Sequence, residues 1–600
     1  MKDKAKQKNK KQRTSPGSLL LNAENAASAA VSSRLQTGSL SKLFCLSDKL
    51  EEKWQDSLFL RFFRFLTSLD PTPRDFQRQL SKDAEDSPLL GFLARLRHSF
   101  LHTRTRFFGL AGLICALYAI GGHLLFFLFG MDYGSNTVTD LCATGILFIL
   151  SLVLLCGRMP LNRLCTENRF LSRLLLKLWN LNPASLKEDP EEKVTTHGGL
   201  AFVLGTVMGL CAVVFGLLPV LASLGLFLFC CILLCVPEAG LLTAAVLLLC
   251  APLRVTATVT AATAISYFWK VLRMKRTFRL KAGDAFFALC IMAFGFAAMT
   301  SGDTEVFRAA LLFGLLWLLV SNLLQSRAMF RKFLSCLLYG GIVTLFFPAL
   351  SGLLAIFSVE LPFALPDPGL SPTLLRCILL TLLPVSLSGF KRIAGVTSFL
   401  LIGVNAYLLA DPWLYLGFLL CFLGYFAVSR RAPVGSFAIG VFTVPMLVTL
   451  FEKPFGKLAP AFSASPKALL PLCWANGVGA GESAIASAAF AKGILYDGAS
   501  SGIWTRLLLE GGLPLLLTFC CAAVFCLQSV CCLLRETSEK KVRKLCAGLL
   551  LAGICFLVSA AFTDLFADLR SLGLFFSLCA AMPAMRKLYA EPDSDPYSGS

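Results

Sequence analysis

Apolar runs long enough to cross a bilayer recur from about residue 107 to residue 585, and a soluble core cannot absorb so many of them. FFGLAGLICALYAIGGHLLFFLFG (Phe107–Gly130) and LLLTFCCAAVFCLQSVCCLL (Leu515–Leu534) reach the ~20 apolar residues a spanning helix requires. A soluble domain carries about 25% charged residues; this chain carries 15%, is 56% hydrophobic with 51 Phe, and has a mean hydropathy of +0.71. These features predict an all-α fold: a polytopic helical membrane protein with about 14–16 transmembrane helices and a cytoplasmic N-terminal extension.

Spans are predicted near 107–130, 139–157, 199–217, 219–236, 239–253, 255–270, 282–300, 306–324, 333–357, 373–388, 392–408, 412–428, 435–451, 507–534, 545–563 and 570–585. The charges that separate them alternate. One set of connections holds Arg158, Arg163, Arg169, Arg173 and Lys177, then Lys270, Arg273, Lys275, Arg276, Arg279 and Lys281. The same set continues through Arg327, Arg331 and Lys332, Lys391 and Arg392, Arg430 and Arg431, and the cluster from Arg535 to Lys544. The opposite set reads MDYGSNTVTD, TSGDTE, SVELPFALPDPGLSPT and ADP, with no Lys or Arg. Basic loops stay on the cytoplasmic side, so both chain ends are expected inside and residues 452–506 outside. The net charge of +20 is explained by orientation, and no nucleic-acid partner is expected.

The resulting organisation has six parts. Residues 1–106 form the basic extension, with a lysine-rich tail whose composition predicts disorder. KDKAKQKNKKQR precedes a polar stretch and does not read as a cleavable signal. Within the extension, Leu58–Leu69 is either an interfacial helix on the anionic leaflet or a helix packed on the protein's cytoplasmic floor. Residues 107–270 and 271–451 hold the first and central groups of spans. Residues 452–506 form the glycine-rich outer loop, 507–585 the last spans, and 586–600 a short cytoplasmic tail. The 23 cysteines lie mostly within apolar runs, some as neighbours such as Cys520–Cys521. Adjacent thiols suit neither ordinary disulfides nor tetrahedral metal sites, so they read as reduced apolar filler, and no metal or other cofactor is expected.

GVGAGESAIASAAFAKGILYDGASSGIWTRLLLEGGLP (Gly477–Pro514) is longer than a connection requires, and its far end re-enters the apolar region. Gly477, Gly479 and Gly481 would let backbone approach a bulky ligand closely. Lys453, Lys457, Lys467, Lys492 and Arg506 put cations on the outer side, against the general pattern. They are either decoration of a long loop or contacts for an anionic lipid diphosphate, which arginine binds through paired hydrogen bonds.

These residues resemble the O-antigen ligase / Wzy polymerase family in its divergent clostridial form. The family's outer-loop motif, a GxGxG-like start with an ending like HNxYLQxxxELGxxG, is similar to GVGAGES (Gly477–Ser483) and GIWTRLLLEGGLP (Gly502–Pro514). SRRAPVG (Ser429–Gly435) resembles its S-R-G-A-x-x-G segment, and TDLFADLR (Thr563–Arg570) its T-D-x-x-x-x-x-R turn. GLSPTLL (Gly369–Leu375) echoes its G-N-P-N-x-L helix start. The resemblance covers roughly residues 50–585. It implies transfer or polymerisation of glycan from a polyprenyl-diphosphate carrier at the outer membrane face, without metal or nucleotide sugar. The implied partners are that lipid-linked glycan, membrane lipids and cell-envelope assembly proteins.

The family's loop histidine, taken as the base that activates the acceptor hydroxyl, falls on Ser501, and its neighbours on Ala499 and Gly502. Both asparagines of the helix start are replaced, by Ser371 and Thr373. Serine has no proton affinity near neutral pH and cannot act as imidazole does. Glu482 is then either a substitute catalytic base or a loop carboxylate paired with lysine. Arg506 is either a diphosphate clamp or a snorkelling interface arginine. Arg376, near the outer end of a span, is a donor-site residue by the rule that ionisable groups at depth face a cavity or the protein interior. Arg570, with Asp564 and Asp568, either braces helix ends or contacts diphosphate. Three functions stand open: a ligase or polymerase, a non-catalytic binder of lipid-linked glycan or envelope scaffold, and a lipid or polysaccharide transporter.

Overall fold

The computed structural model describes residues 103–129, 137–168, 198–278, 282–357, 371–409, 411–421, 476–491, 503–562 and 568–590, apart from a few positions within those ranges, together with Lys53, Ser57 and Ser172. Most of the N-terminal extension and the whole span expected at 435–451 lie outside them, as do Lys492, Ser501 and Ser429–Gly435. Among the described residues every regular element is helical, and the sole β feature is an isolated bridge between Arg104 and Pro160.

Each predicted span that falls within the described residues is matched by helix. In chain order these elements are α1 (Thr105–Leu128), α2 (Thr137–Cys156), the short α3 (Leu161–Glu167), α4 (Gly198–Phe215), α5 (Leu217–Cys235), α6 (Pro237–Cys250), α7 (Leu253–Leu272) and α8 (Ala282–Ser301). They continue as α9 (Thr304–Leu323), α10 (Arg327–Ile356), α11 (Pro372–Leu387), α12 (Arg392–Leu409), α13 (Glu482–Ala491), α14 (Ile503–Glu536), α15 (Lys540–Phe562) and α16 (Leu569–Ala590). Among the described residues, 6 are long and apolar enough to cross a membrane: Thr105–Leu128, Gly198–Phe215, Gly283–Ser301, Thr304–Leu323, Arg327–Ile356 and Arg506–Leu534. Large apolar side chains on several of them are bare, Phe127 and Val214 among them, as suits a surface solvated by lipid. The chain is a polytopic helical membrane protein.

The chain divides into two compact units. The first comprises 66–242 and 262–278. There α1 packs on both α2 and α4. Gly205 of α4 meets the backbone of Ala111, and Gly209 lies against the Tyr118 ring, whose Cγ is 3.0 Å from where a Cβ would stand. Small residues at helix crossings let backbones approach where lipid gives no hydrophobic incentive to associate. Asp140 of α2 is buried and caps α5, its carboxylate accepting from Leu217 N at 2.9 Å and Leu218 N at 3.0 Å. His123 Nε2 stands 3.5 Å from the same group.

The second unit comprises 243–261 and 279–600, with 1–65. Helices α8 and α9 form a hairpin that turns at Gly302, and Asp303 caps α9 through Glu305 N and Val306 N. Helix α14 packs on α8, α15 and α16, and α11 packs on α12 and α15. Aromatic rings fill the space between them. Phe287 stacks on Trp317 with centroids 3.8 Å apart, and Phe575 on Phe556 at 4.5 Å. Pro348 interrupts the backbone ladder of α10. A buried Asn405 of α12 donates Nδ2 to the Leu345 carbonyl at 3.0 Å, which ties α12 to α10 just before that proline.

Candidate functional site

The site begins with a broken helix. Gly512 in α14 has φ 68° and ψ −163°, a backbone state open to glycine and closed to most residues with a Cβ. In a straight helix Trp504 and Phe519 would stand about 22 Å apart along the axis. Their ring centroids are instead 6.2 Å apart, so 503–511 folds back along the rod that follows. The predicted span 507–534 is therefore not one rod. A short half-helix turns sharply at Gly511–Gly512, and the crossing helix starts beyond it, near Pro514. Phe519 in turn packs on Phe575 and Phe576 of α16, which fixes the crossing helix in the aromatic core.

The predicted glycine turn closes on this half-helix. Gly477, Gly479 and Gly481 have φ of 69°, 104° and 100°. Between them Val478 N donates to the Leu509 carbonyl at 2.7 Å and Gly479 N to the Glu510 carbonyl at 3.0 Å. These carbonyls belong to the last turn of the half-helix, where no intrahelical donor is left for them. Ala480 N donates to Ala297 O in the last turns of α8 at 2.9 Å. A Cβ on Gly477 would strike the Glu510 carbonyl, and one on Gly479 would lie 2.8 Å from Ser301 Cβ. The close approach these glycines permit is to the protein's own backbone. The turn is a clamp joining the half-helix to α8.

Arg506 and Glu510, one turn apart on the half-helix, form an ion pair of 2.8 Å with side chains only 12% and 5% exposed. The same carboxylate oxygen accepts from Gly481 N at 3.2 Å, immediately before α13. Glu482 is the first residue of α13.

Two further carboxylates organise the other predicted arginines. Asp568, at the start of α16, receives Arg570 Nη2 at 3.0 Å and Ser371 Oγ at 2.7 Å on one oxygen. Burial pushes its pKa up, but the hydrogen bonds from Arg570 and Ser371 outweigh that and hold it below the usual carboxylate range. Ser371 also caps α11, accepting from Leu374 N at 3.1 Å. Arg376 of α11 stands 2.6 Å from Asp411 through Nε and Oδ2. That contact is an ion pair by distance, but neither atom has hydrogen-bond geometry. Asp564 lies outside the described residues.

The structure thus brings Arg506, Gly477, Gly479 and Gly481 together around Glu510, Arg570 and Ser371 around Asp568, and Arg376 beside Asp411. Sequence reasoning passed over Glu510 and Asp411. The i, i+4 spacing of Glu510 from Arg506 was the available signal for the first; Asp411 sits in a short ADP turn that gave none. Among the described residues no cluster of three or more His, Cys, Asp or Glu side chains is set to hold a metal ion. No family model, curated protein or solved structure matches this chain.

Proposed function

We propose that the protein acts in cell-surface polysaccharide assembly, transferring or polymerising glycan from a polyprenyl-diphosphate carrier at the outer face of a bacterial cytoplasmic membrane, with both termini cytoplasmic. The observation that carries this reading is the nearly buried Arg506, held on a half-helix that folds back into the apolar bundle and is clamped there by a glycine turn. A fixed cation at the membrane rim suits a leaving diphosphate, whose charge grows as the anomeric C–O bond breaks and the acceptor hydroxyl attacks that carbon. Preorganised donors aimed at such developing charge lower the barrier because they need not reorganise. Arg570 and Arg376, each held by a carboxylate, are the further donors in this reading. The acceptor proton goes to a carboxylate such as Glu482 or, with strong leaving-group stabilisation, to solvent.

The deciding experiment incubates purified protein in lipid nanodiscs with lipid-linked glycan extracted from cells lacking it, and separates the products by size. Lengthened or transferred glycan with release of polyprenyl diphosphate is expected. Donor binding without turnover would instead make the protein a non-catalytic binder. The break at Gly512 favours transport as a second reading, since discontinuous helices line transporter sites. Movement of labelled lipid-linked glycan across a vesicle membrane without chemical change would establish it.

A further inference from the structure

Glu510 joins three parts of the candidate site, and the proposed chemistry leaves it unused. Its Oε1 accepts from Arg506 Nε at 2.8 Å and from Gly481 N at 3.2 Å, while its main-chain carbonyl accepts from Gly479 N at 3.0 Å. The position is a poor one for a negative charge. It lies in the last turn of a short helix, whose dipole opposes an anion, and its side chain is only 5% exposed. Burying a charge there is costly unless its pairing is well made. A carboxylate in such a place has a use that an apolar residue would not serve.

The geometry points to that use. A guanidinium is a rigid planar fork with five N–H donors. An oxygen bound at Nε fixes the plane and sets the direction in which the opposite edge faces. The Gly481 N–H holds the oxygen itself in place, and the clamp holds Gly481. From this chain of contacts we infer that Glu510 is a positioning residue, whose acceptor oxygen aims the Arg506 guanidinium at a phosphoryl group of the lipid diphosphate. The inference rests on the proposed function.

Aim and charge can be separated because they move affinity in opposite directions. The full chain in phosphatidylethanolamine/phosphatidylglycerol nanodiscs is titrated with farnesyl diphosphate, and with inorganic diphosphate as comparison. Wild type is expected to bind farnesyl diphosphate at least about ten-fold more tightly than inorganic diphosphate, the isoprenoid adding buried apolar surface. Glu510→Ala removes the acceptor and should weaken binding by about ten-fold or more, the worth of one charge-assisted hydrogen bond. Glu510→Gln keeps an acceptor oxygen and removes a charge that repels phosphate, so it should tighten binding by roughly two- to five-fold. Variants that both tighten would show that Glu510 acts only as a charge, and variants that both weaken would show that it only braces the fold; either result overturns the inference. Should Glu510→Ala not fold, Arg506→Lys decides. It keeps the charge and the ion pair but loses the fork, and it should weaken binding about ten-fold; wild-type affinity in that variant overturns the inference. A wild type that binds neither diphosphate overturns the proposed function and this inference together, whereas binding with same-direction responses overturns this inference alone. Equal affinity for both probes would refute recognition of a lipid-linked ligand.

Discussion

Gly477→Ala tests whether the glycine turn is a clamp. The residue has φ 69°, and an alanine held there costs about 1–2 kcal/mol. Its Cβ would meet the Glu510 carbonyl, which is backbone and cannot rotate away. The turn must then retreat, putting at risk the bonds from Val478 N to Leu509 O and from Gly479 N to Glu510 O. Each such bond contributes about 0.5–1.5 kcal/mol, so losing one or both brings the total to about 1.5–5 kcal/mol. Gly395→Ala in α12 is the control, because its Cβ would meet nothing within 4 Å and alanine is favoured over glycine in a helix by about 0.5–1 kcal/mol. Equilibrium unfolding by sodium dodecyl sulfate in mixed micelles, followed by tryptophan fluorescence, reports both. The two variants should move in opposite directions. A Gly477→Ala protein as stable as wild type would refute the clamp.

Three shorter predictions follow from the same geometry. A cysteine at Ser483 should react with a membrane-impermeant maleimide in intact cells, and labelling only after the inner face is opened would invert the topology. Asp568 has a folded pKa below its unfolded value of about 3.9, so its contribution is complete above that value and is lost as pH falls through the lower folded one. Asp568→Asn should therefore lower the melting temperature by the same amount at pH 5, 6.5 and 8, and a penalty that shrinks across that window would contradict the Arg570–Asp568–Ser371 arrangement. If glycan transfer is observed, Glu482→Gln should slow it by roughly 10²–10⁴-fold, and undiminished turnover would remove Glu482 as the base.

The helices were legible because a bilayer leaves few alternatives: runs such as Phe107–Gly130 and Leu515–Leu534 announce themselves by length. The turn between α8 and α9 was legible from TSGDTE, a polar break between two apolar runs; that Asp303 caps α9 came only with the structure. The arginines at helix ends were visible as charges, and Asp568 was read beside Arg570, where the ion pair forms; the distant partners were not visible. Asp568 finds Ser371 nearly two hundred positions away, and Arg376 finds Asp411 across a helix and a turn; no periodicity carries such pairings. The glycines at 477, 479 and 481 were conspicuous, yet spacing alone cannot say whether backbone draws close to a ligand or to another segment of the same chain. The fold-back at Gly512 was half visible. LLLEGGLP marks a break, but only the meeting of Trp504 with Phe519 shows how sharply the chain reverses.

That reversal constrains how the protein is made. A segment of nine residues is less than half of the ~20 that commit a helix to cross the bilayer, and Arg506 and Glu510 burden it with two charges. It has no means of leaving water by itself. Helix α8, presenting Ala297, and the crossing part of α14, presenting Phe519, must already be in the lipid before the half-helix has a surface to settle on. Residues 476–511 therefore dock only after α8 and the crossing part of α14 are in place. The clamp is a contact made after the helices it joins, not one that guides them into the membrane.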